Sequence, residues 1–129
     1  MIVVDSSVWI AHLCDAATEP VRKLRTLARL TALLVGDVIL LEVLQGARNA
    51  DDAVTIEHAL RQFEIVPMLS PELAVEAAAN YRFLRSRGVT LRKTADLIIG
   101  TFCIEHGHAL LHNDRDFDPM RQHLGLQVV

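Results

Sequence analysis

Apolar residues along this chain come in two rhythms: short unbroken runs, and longer stretches in which they recur every third or fourth position. The runs predict buried strands and the recurrences predict helices packed by one face. The first run, Ile2-Val3-Val4, stops abruptly on Asp5. Ser6 or Ser7 can then cap a helix over Val8–Cys14, with Val8, Trp9 and Leu13 on its apolar side. Thr18 caps a second helix that reaches Leu30, with Glu19 and Pro20 in its first turn and Val21, Leu24, Leu27 and Ala28 as its stripe. Thr31–Val35 is the second strand, Gly36-Asp37 a turn, and Asp37 the cap of a helix over Val38–Ala47. Asp51 and Asp52 open a fourth helix, to Arg61, and Phe63–Val66 is a third strand stopped by Pro67. Ser70-Pro71-Glu72 is a strong helix start; that helix runs to Ser86 on Leu73, Ala77, Tyr81 and Leu84, and Gly88 ends it. After a loop over Val89–Lys93, Thr94 caps a helix over Ala95–Glu105, apolar along most of its length and therefore central. Gly107 stops it, Ala109–Leu111 is a fourth strand, Asn113–Asp118 a polar loop, and Leu126–Val129 a fifth strand.

Strands alternating with helices predict a parallel sheet with right-handed crossovers and helices on both faces: an α/β fold in three layers, spanning residues 1–129 as a single domain. At 51% hydrophobic and 22% charged residues, the chain can bury a core and is not a disordered polymer. A net charge of −3 excludes a global polycation, so any nucleic-acid partner must be met by local positive charge or by metal ions. Cys14 and Cys103 both sit in apolar helical surroundings, which predicts reduced core thiols. No basic start precedes an apolar run, and no run reaches the roughly 18 residues a bilayer demands, so a cytoplasmic protein without membrane contact is expected.

The chemistry lies in the placement of acids. Asp5 ends a core strand, Glu42 interrupts the apolar run Val38–Leu44, and Asp96 stands in the first turn of the most apolar helix. Asp114 and Asp116 follow the fourth strand in His112-Asn113-Asp114-Arg115-Asp116-Phe117. Each has a plain structural explanation when taken alone. Asp5 can be a helix cap, Glu42 part of a polar strip with Asp37 and Gln45, Asp96 a partner of the helix dipole, and the last pair a turn. Together they share a place. Parallel strands bring their carboxyl ends into one crevice, and helix N-termini lie on the same rim. Carboxylates gathered there cannot all stay ionised without a counter-charge, and Mg²⁺ or Mn²⁺ is the hard cation such oxygens prefer. That composition suits metal-assisted hydrolysis of a phosphodiester.

With these residues in view, Val3-Val4-Asp5-Ser6-Ser7-Val8-Trp9 resembles the opening of PIN-domain ribonucleases, especially the VapC toxins of bacterial type II toxin–antitoxin pairs. The similarity continues in order through Leu41–Gly46, Thr94–Ile99 and His112–Phe117, and so spans essentially the whole chain. It implies a PIN-like fold with a five-stranded parallel sheet. It also implies Mg²⁺- or Mn²⁺-dependent endonucleolytic cleavage of RNA such as transfer or ribosomal RNA, leaving a 5′-phosphate and a 3′-hydroxyl. A homodimer and a cognate VapB-type antitoxin are implied too. The family's acids map onto Asp5, Glu42, Asp96 and the pair Asp114/Asp116. Many members carry only one acid of that pair, at the position of Asp116, so both stand as candidates. Ser7 matches a supporting hydroxyl position, and Ser6 replaces the commoner threonine.

The span Arg82–Lys93 carries Arg82, Arg85, Arg87, Arg92 and Lys93 with no acid among them and leads directly to Asp96, which makes Arg92 and Lys93 candidate RNA-phosphate contacts. The apolar and basic sides of the Thr18–Leu30 helix offer an antitoxin a docking surface. The alternatives fit less well. A haloacid-dehalogenase-like phosphohydrolase wants a second acid where Ser7 stands. Zinc at His106, His108 and His112 lacks any metal-binding spacing. A catalytically inactive PIN-like binding module would have no need of the full set of acids.

Overall fold

The computed structural model covers residues 1–129. Its elements run β1 (Ile2–Val4), α1 (Ser6–Leu13), α2 (Glu19–Leu30), β2 (Leu33–Gly36), α3 (Asp37–Gln45), α4 (Ala50–Leu60), β3 (Glu64–Val66), α5 (Pro71–Ser86), α6 (Thr94–His106), β4 (Ala109–Leu111) and α7 (Asp118–Leu124), with a 3₁₀ turn at Arg115–Phe117. The strands form one sheet in the order β3-β2-β1-β4, and every pairing is parallel. β1 lies inside, with Val3 opposite Leu34 on one side and Leu110 on the other. Val3, Val4, Leu34, Val35, Leu110 and Leu111 are buried, as strands covered on both faces must be. All strands point the same way, so the chain leaves β1 and β4 at one rim, where α1, α3 and α6 begin or pass.

The helix starts differ from expectation in informative ways. α1 begins at Ser6 because Asp5 is its cap: Asp5 Oδ2 accepts the Ser7 N–H at 3.1 Å, and the serine hydroxyls serve elsewhere. Gly36 occupies the cap position of α3 and Asp37 its first turn. Asp37 Oδ1 accepts from Val38 N at 2.8 Å and from Met68 N at 3.0 Å, tying the exit of β2 to the segment after β3. Asn49 caps α4 by accepting from Asp52 N, and Lys93, not Thr94, precedes α6 without a side-chain cap. Thr18 precedes α2 with its hydroxyl unpartnered. The Ser70 cap and Pro71 start of α5 stand as read.

Three expectations need correcting. The fifth strand is reduced to a single parallel bridge, Leu110 to Val128, held by Leu110 N–Gln127 O at 2.9 Å and Val129 N–Leu110 O at 3.0 Å. The residues between the Asn113–Asp118 loop and the terminal strand, to which the sequence pattern assigns no element, form α7, which is too short to show a helical period. Its one signal is Pro119 in the first turn, and Met120 is its buried anchor. Cys14 is exposed where α1 ends, so only Cys103 is a core thiol; both are free.

α6 packs against α5, α3 and β4. Its Gly100 is there for contact: a Cβ at that position would fall on the sulfur and methyl of Met120, itself wholly buried. Glycine inside a helix costs about 1 kcal/mol relative to alanine, so the packing must outweigh propensity. Gly100→Ala is therefore expected to lower the unfolding free energy by about 1–2 kcal/mol, since overpacking exceeds the helix gain. Urea denaturation checks this; an unchanged or raised midpoint would show that Met120 can move aside.

Candidate metal centre

β1 delivers Asp5 to the rim and holds it there: Asp5 N donates to Leu111 O at 2.9 Å, extending the β1–β4 ladder by one bond. As an α1 cap it is 2% exposed. The first turn of α6 delivers Asp96, 3% exposed, at the start of a helix whose next turns are buried. α3 carries Glu42, half-buried, on its second turn. β4 ends just before Asp114 and Asp116, both half-buried, in and beside the 3₁₀ turn.

Hydrogen bonds fix this arrangement. Ser7 Oγ donates to Asp5 Oδ2 at 2.6 Å and accepts from Asn113 N at 3.1 Å, joining the ends of β1 and β4 through one hydroxyl. Ser6 Oγ donates to Glu42 Oε1 at 3.1 Å, which turns a carboxylate from the apolar helix toward the rim. Asp114 Oδ1 accepts from Asp116 N at 2.9 Å, and Asp114 N donates to His112 Nδ1 at 3.1 Å. Oxygens of Asp96, Asp114 and Asp116 lie within 4.8 Å of one another. Ser6 and His112 were not singled out in the sequence for these contacts. A hydroxyl beside Asp5 carried a signal for the first; nothing marked the second.

The electrostatics follow from burial and crowding. Burial is the main cause that raises Asp5 above the ordinary carboxylate range; the Ser7 and Ser6 bonds offset part of it, and the Asp114 charge adds to it. Burial also dominates at Asp96, where Asp5 and Asp114 add repulsion and the pKa is pushed up to about 7. Glu42 is raised by burial, despite the Ser6 bond, with Asp5 contributing. At Asp114 burial pushes upward too, but the Asp116 N–H and Lys93 outweigh it and hold the group below the usual range. Lys93 Nζ lies 3.3 Å from Asp114 Oδ2, and Arg92 pairs with Asp116 Oδ1 at 3.5 Å.

Two carboxylate oxygens have no partner: Asp5 Oδ1 and Asp96 Oδ2 are buried and accept no hydrogen bond. Unpartnered buried acceptors are costly, and an all-oxygen donor set beside them fits a hard divalent cation. The histidines do not form a rival centre. His106 Nδ1 is 3.0 Å from Phe102 O and its ring stacks on Phe102, whereas His112 sits past the far end of β4 with Nδ1 on the Asp114 N–H. The structure thus brings Asp5, Glu42, Asp96, Asp114, Asp116 and Ser7 to one rim, with Arg92 and Lys93 at its edge.

The chain is 29% identical over 133 residues to VapC ribonuclease Mb1587 of Mycobacterium bovis, covering 99% of this chain and 97% of that protein. Ribonuclease VapC11 of Mycobacterium tuberculosis matches with the same figures. Among solved structures, VapBC2 of Rickettsia felis bound to a promoter DNA fragment superposes with a TM-score of 0.79 at 16% identity, covering 100% of this chain and 98% of that one. VapC20 of Mycobacterium tuberculosis, a Sarcin-Ricin loop cleaving toxin, superposes with a TM-score of 0.66 at 17% identity, covering 92% of this chain and 93% of that one. The PIN domain model matches residues 2–121. That match starts in the first strand, ends in the last helix and takes in every carboxylate of the rim: the chain belongs to the PIN domain family.

Proposed function

We propose that this chain is a divalent-metal-dependent endoribonuclease of the VapC kind, a toxin that hydrolyses RNA phosphodiesters and is neutralised by a cognate antitoxin. One observation carries the reading: buried oxygens of Asp5 and Asp96 have no hydrogen-bond partner, and Asp96 meets oxygens of Asp114 and Asp116 within 4.8 Å. The names of the curated relatives support RNA as substrate, and the VapBC complexes among the solved structures support an antitoxin partner. The family resemblance also implies a homodimer.

Asp5, Asp96, Asp114 and Asp116 would hold Mg²⁺ or Mn²⁺, with Glu42 completing the set. When bound, such an ion lowers the pKa of water and stabilises charge on the phosphoryl oxygens. The remaining work belongs to the chain. Ser7 holds Asp5 in one rotamer through Oδ2 and leaves Oδ1 for ligation. Ser6 anchors Glu42, and the 3₁₀ turn built on Asp114 presents Asp116. Arg92 and Lys93 supply local positive charge to RNA phosphates in a chain whose net charge is −3. The α2 face expected to dock the antitoxin forms, with Val129, an open cleft of about 410 Å³. No helix is long and apolar enough to cross a membrane.

Asp5→Asn and Asp96→Asn should each lower Mn²⁺-dependent RNA cleavage by about two orders of magnitude or more while the far-ultraviolet circular dichroism is kept. Sequencing of 5′-phosphate ends after a short pulse of expression would then name the RNA cut by the wild type. Activity that is equal in wild type, variants and EDTA rules out the reading.

A second expectation follows from linkage. Asp96 has a folded pKa of about 7 against 3.8 unfolded, so between those values the folded state holds a proton the unfolded chain has lost. Its contribution to stability therefore falls as pH rises from about 4 to about 7 and is flat above. His12, His108 and His112, all lowered chiefly by burial, push the other way in part of that window, so the variant comparison isolates the effect. In EDTA, the stability of Asp96→Asn minus that of wild type should grow between about pH 4.5 and pH 8. At the higher pH, Mn²⁺ should reduce that excess by stabilising the wild type. A difference that is constant with pH would place Asp96 outside the buried acid cluster.

A further inference from the structure

The two cations at the rim are already engaged. Lys93 Nζ donates to Asp114 Oδ2, and Arg92 pairs with Asp116 Oδ1. Asp114 Oδ1 is taken by the Asp116 N–H, so Oδ2 is the oxygen that Asp114 has to offer a metal, and it is the one Lys93 holds. The Lys93 ammonium also feels Asp96 and Asp116, so it sits in the field of the three acids whose oxygens converge. Yet neither cation is locked in place: the side chains of Lys93 and Arg92 are 57% and 82% exposed, and both stand in the loop end just ahead of α6. Exposed ion pairs of this kind are weak, so an incoming divalent ion displaces them at small cost.

The geometry points to Arg92 and Lys93 as a tethered counter-cation that couples metal binding to RNA binding. A divalent ion drawing on Asp114 Oδ2 and Asp116 competes with the two side chains for the same carboxylates. Displaced, they remain within a side chain's length of the rim and turn to the phosphates of RNA lying across it. RNA that engages them removes the competitor and so tightens the metal site; linkage makes the effect reciprocal. Before metal arrives, the pair screens the acids from one another and leaves little positive charge for RNA. This rests on the proposed metal-dependent nuclease reading and adds to it an order of events in which metal and RNA favour each other's binding.

The test is calorimetric titration of Mn²⁺ into the full chain and into Arg92→Ala/Lys93→Ala, each alone and with a short phosphorothioate-linked RNA that resists hydrolysis. Both residues are exposed, so the variant should keep the wild-type far-ultraviolet circular dichroism. Alone, the variant should bind Mn²⁺ about threefold to tenfold more tightly than wild type, because a competitor and a like charge are gone. The RNA should tighten Mn²⁺ binding to wild type by a factor that is largely lost in the variant. Lys93→Arg, which keeps the charge, should restore the wild-type pattern in the presence of Arg92. Equal or weaker Mn²⁺ binding by the variant, or an RNA effect of the same size in both proteins, overturns the coupling and leaves the nuclease reading standing. Absence of saturable Mn²⁺ binding in both proteins overturns both.

Discussion

The repulsion among carboxylates collected at the carboxyl rim of the sheet is the constraint that the rest of the molecule answers. Asp5 and Asp96 are almost wholly buried, Glu42 and Asp114 lie close enough to raise or share their charge, and no compact fold would gather them for stability. What holds them is the frame they are built on. β1 is clamped between β2 and β4, α6 runs through the core, and one hydroxyl, Ser7, fastens the two strand ends on which the acids hang. The frame also supplies partial relief. Asp5 and Asp96 stand at the N-terminal ends of α1 and α6, where exposed N–H groups favour negative charge by about 0.3–1 kcal/mol each. That is less than the burial of such a group costs, and so the pKa values rise.

This balance explains why the helices matter more than their propensities suggest. α6 begins on Lys93 without a side-chain cap and contains a glycine in its middle, two local faults. Both follow from its position. The glycine lets Met120 of α7 close over the helix, and the start of the helix is occupied by the acid and the flanking cations. Local stability is given up where the site needs a particular approach, and the buried faces of Leu97, Ile99, Phe102 and Cys103 restore it.

The fold class and the parallel sheet are legible in the sequence because buried strands and amphipathic helices have distinct periods. The acids are legible because each breaks an apolar pattern: Asp5 ends one, Glu42 interrupts one, Asp96 begins one. Where pattern is short, legibility fails. α7 has a single buried anchor and the terminal strand a single bridge, so neither leaves a period to read. Cys14 was misplaced for a related reason: the apolar neighbourhood of Ile10 and Leu13 suggested a core, but both are exposed at the open end of α1. The hydroxyl contacts of Ser6 and Ser7 depend on strands and helices distant in sequence, and no spacing within one segment could contain them.

The pair Asp114 and Asp116 shows what geometry adds to a motif. In the sequence they are two acids in one loop with equal claims. In the structure they divide the work. The Asp114 charge acts on Asp5 and Asp96 and, more weakly, on Glu42, which ties it to the rest of the cluster. Its Oδ1 builds the 3₁₀ turn by accepting the Asp116 N–H, and that turn sets where Asp116 points. An acid that both belongs to the cluster and constructs the loop presenting its neighbour can be lost only with both roles disturbed. Its neighbour, carrying no such bond from its own carboxylate, has both oxygens for cations: one faces Arg92, and the side chain reaches the oxygens of Asp96 and Asp114. Two acids at this spacing are therefore not duplicates. One sets the shape of the rim, and the other offers both of its oxygens to cations there, one of them already facing Arg92.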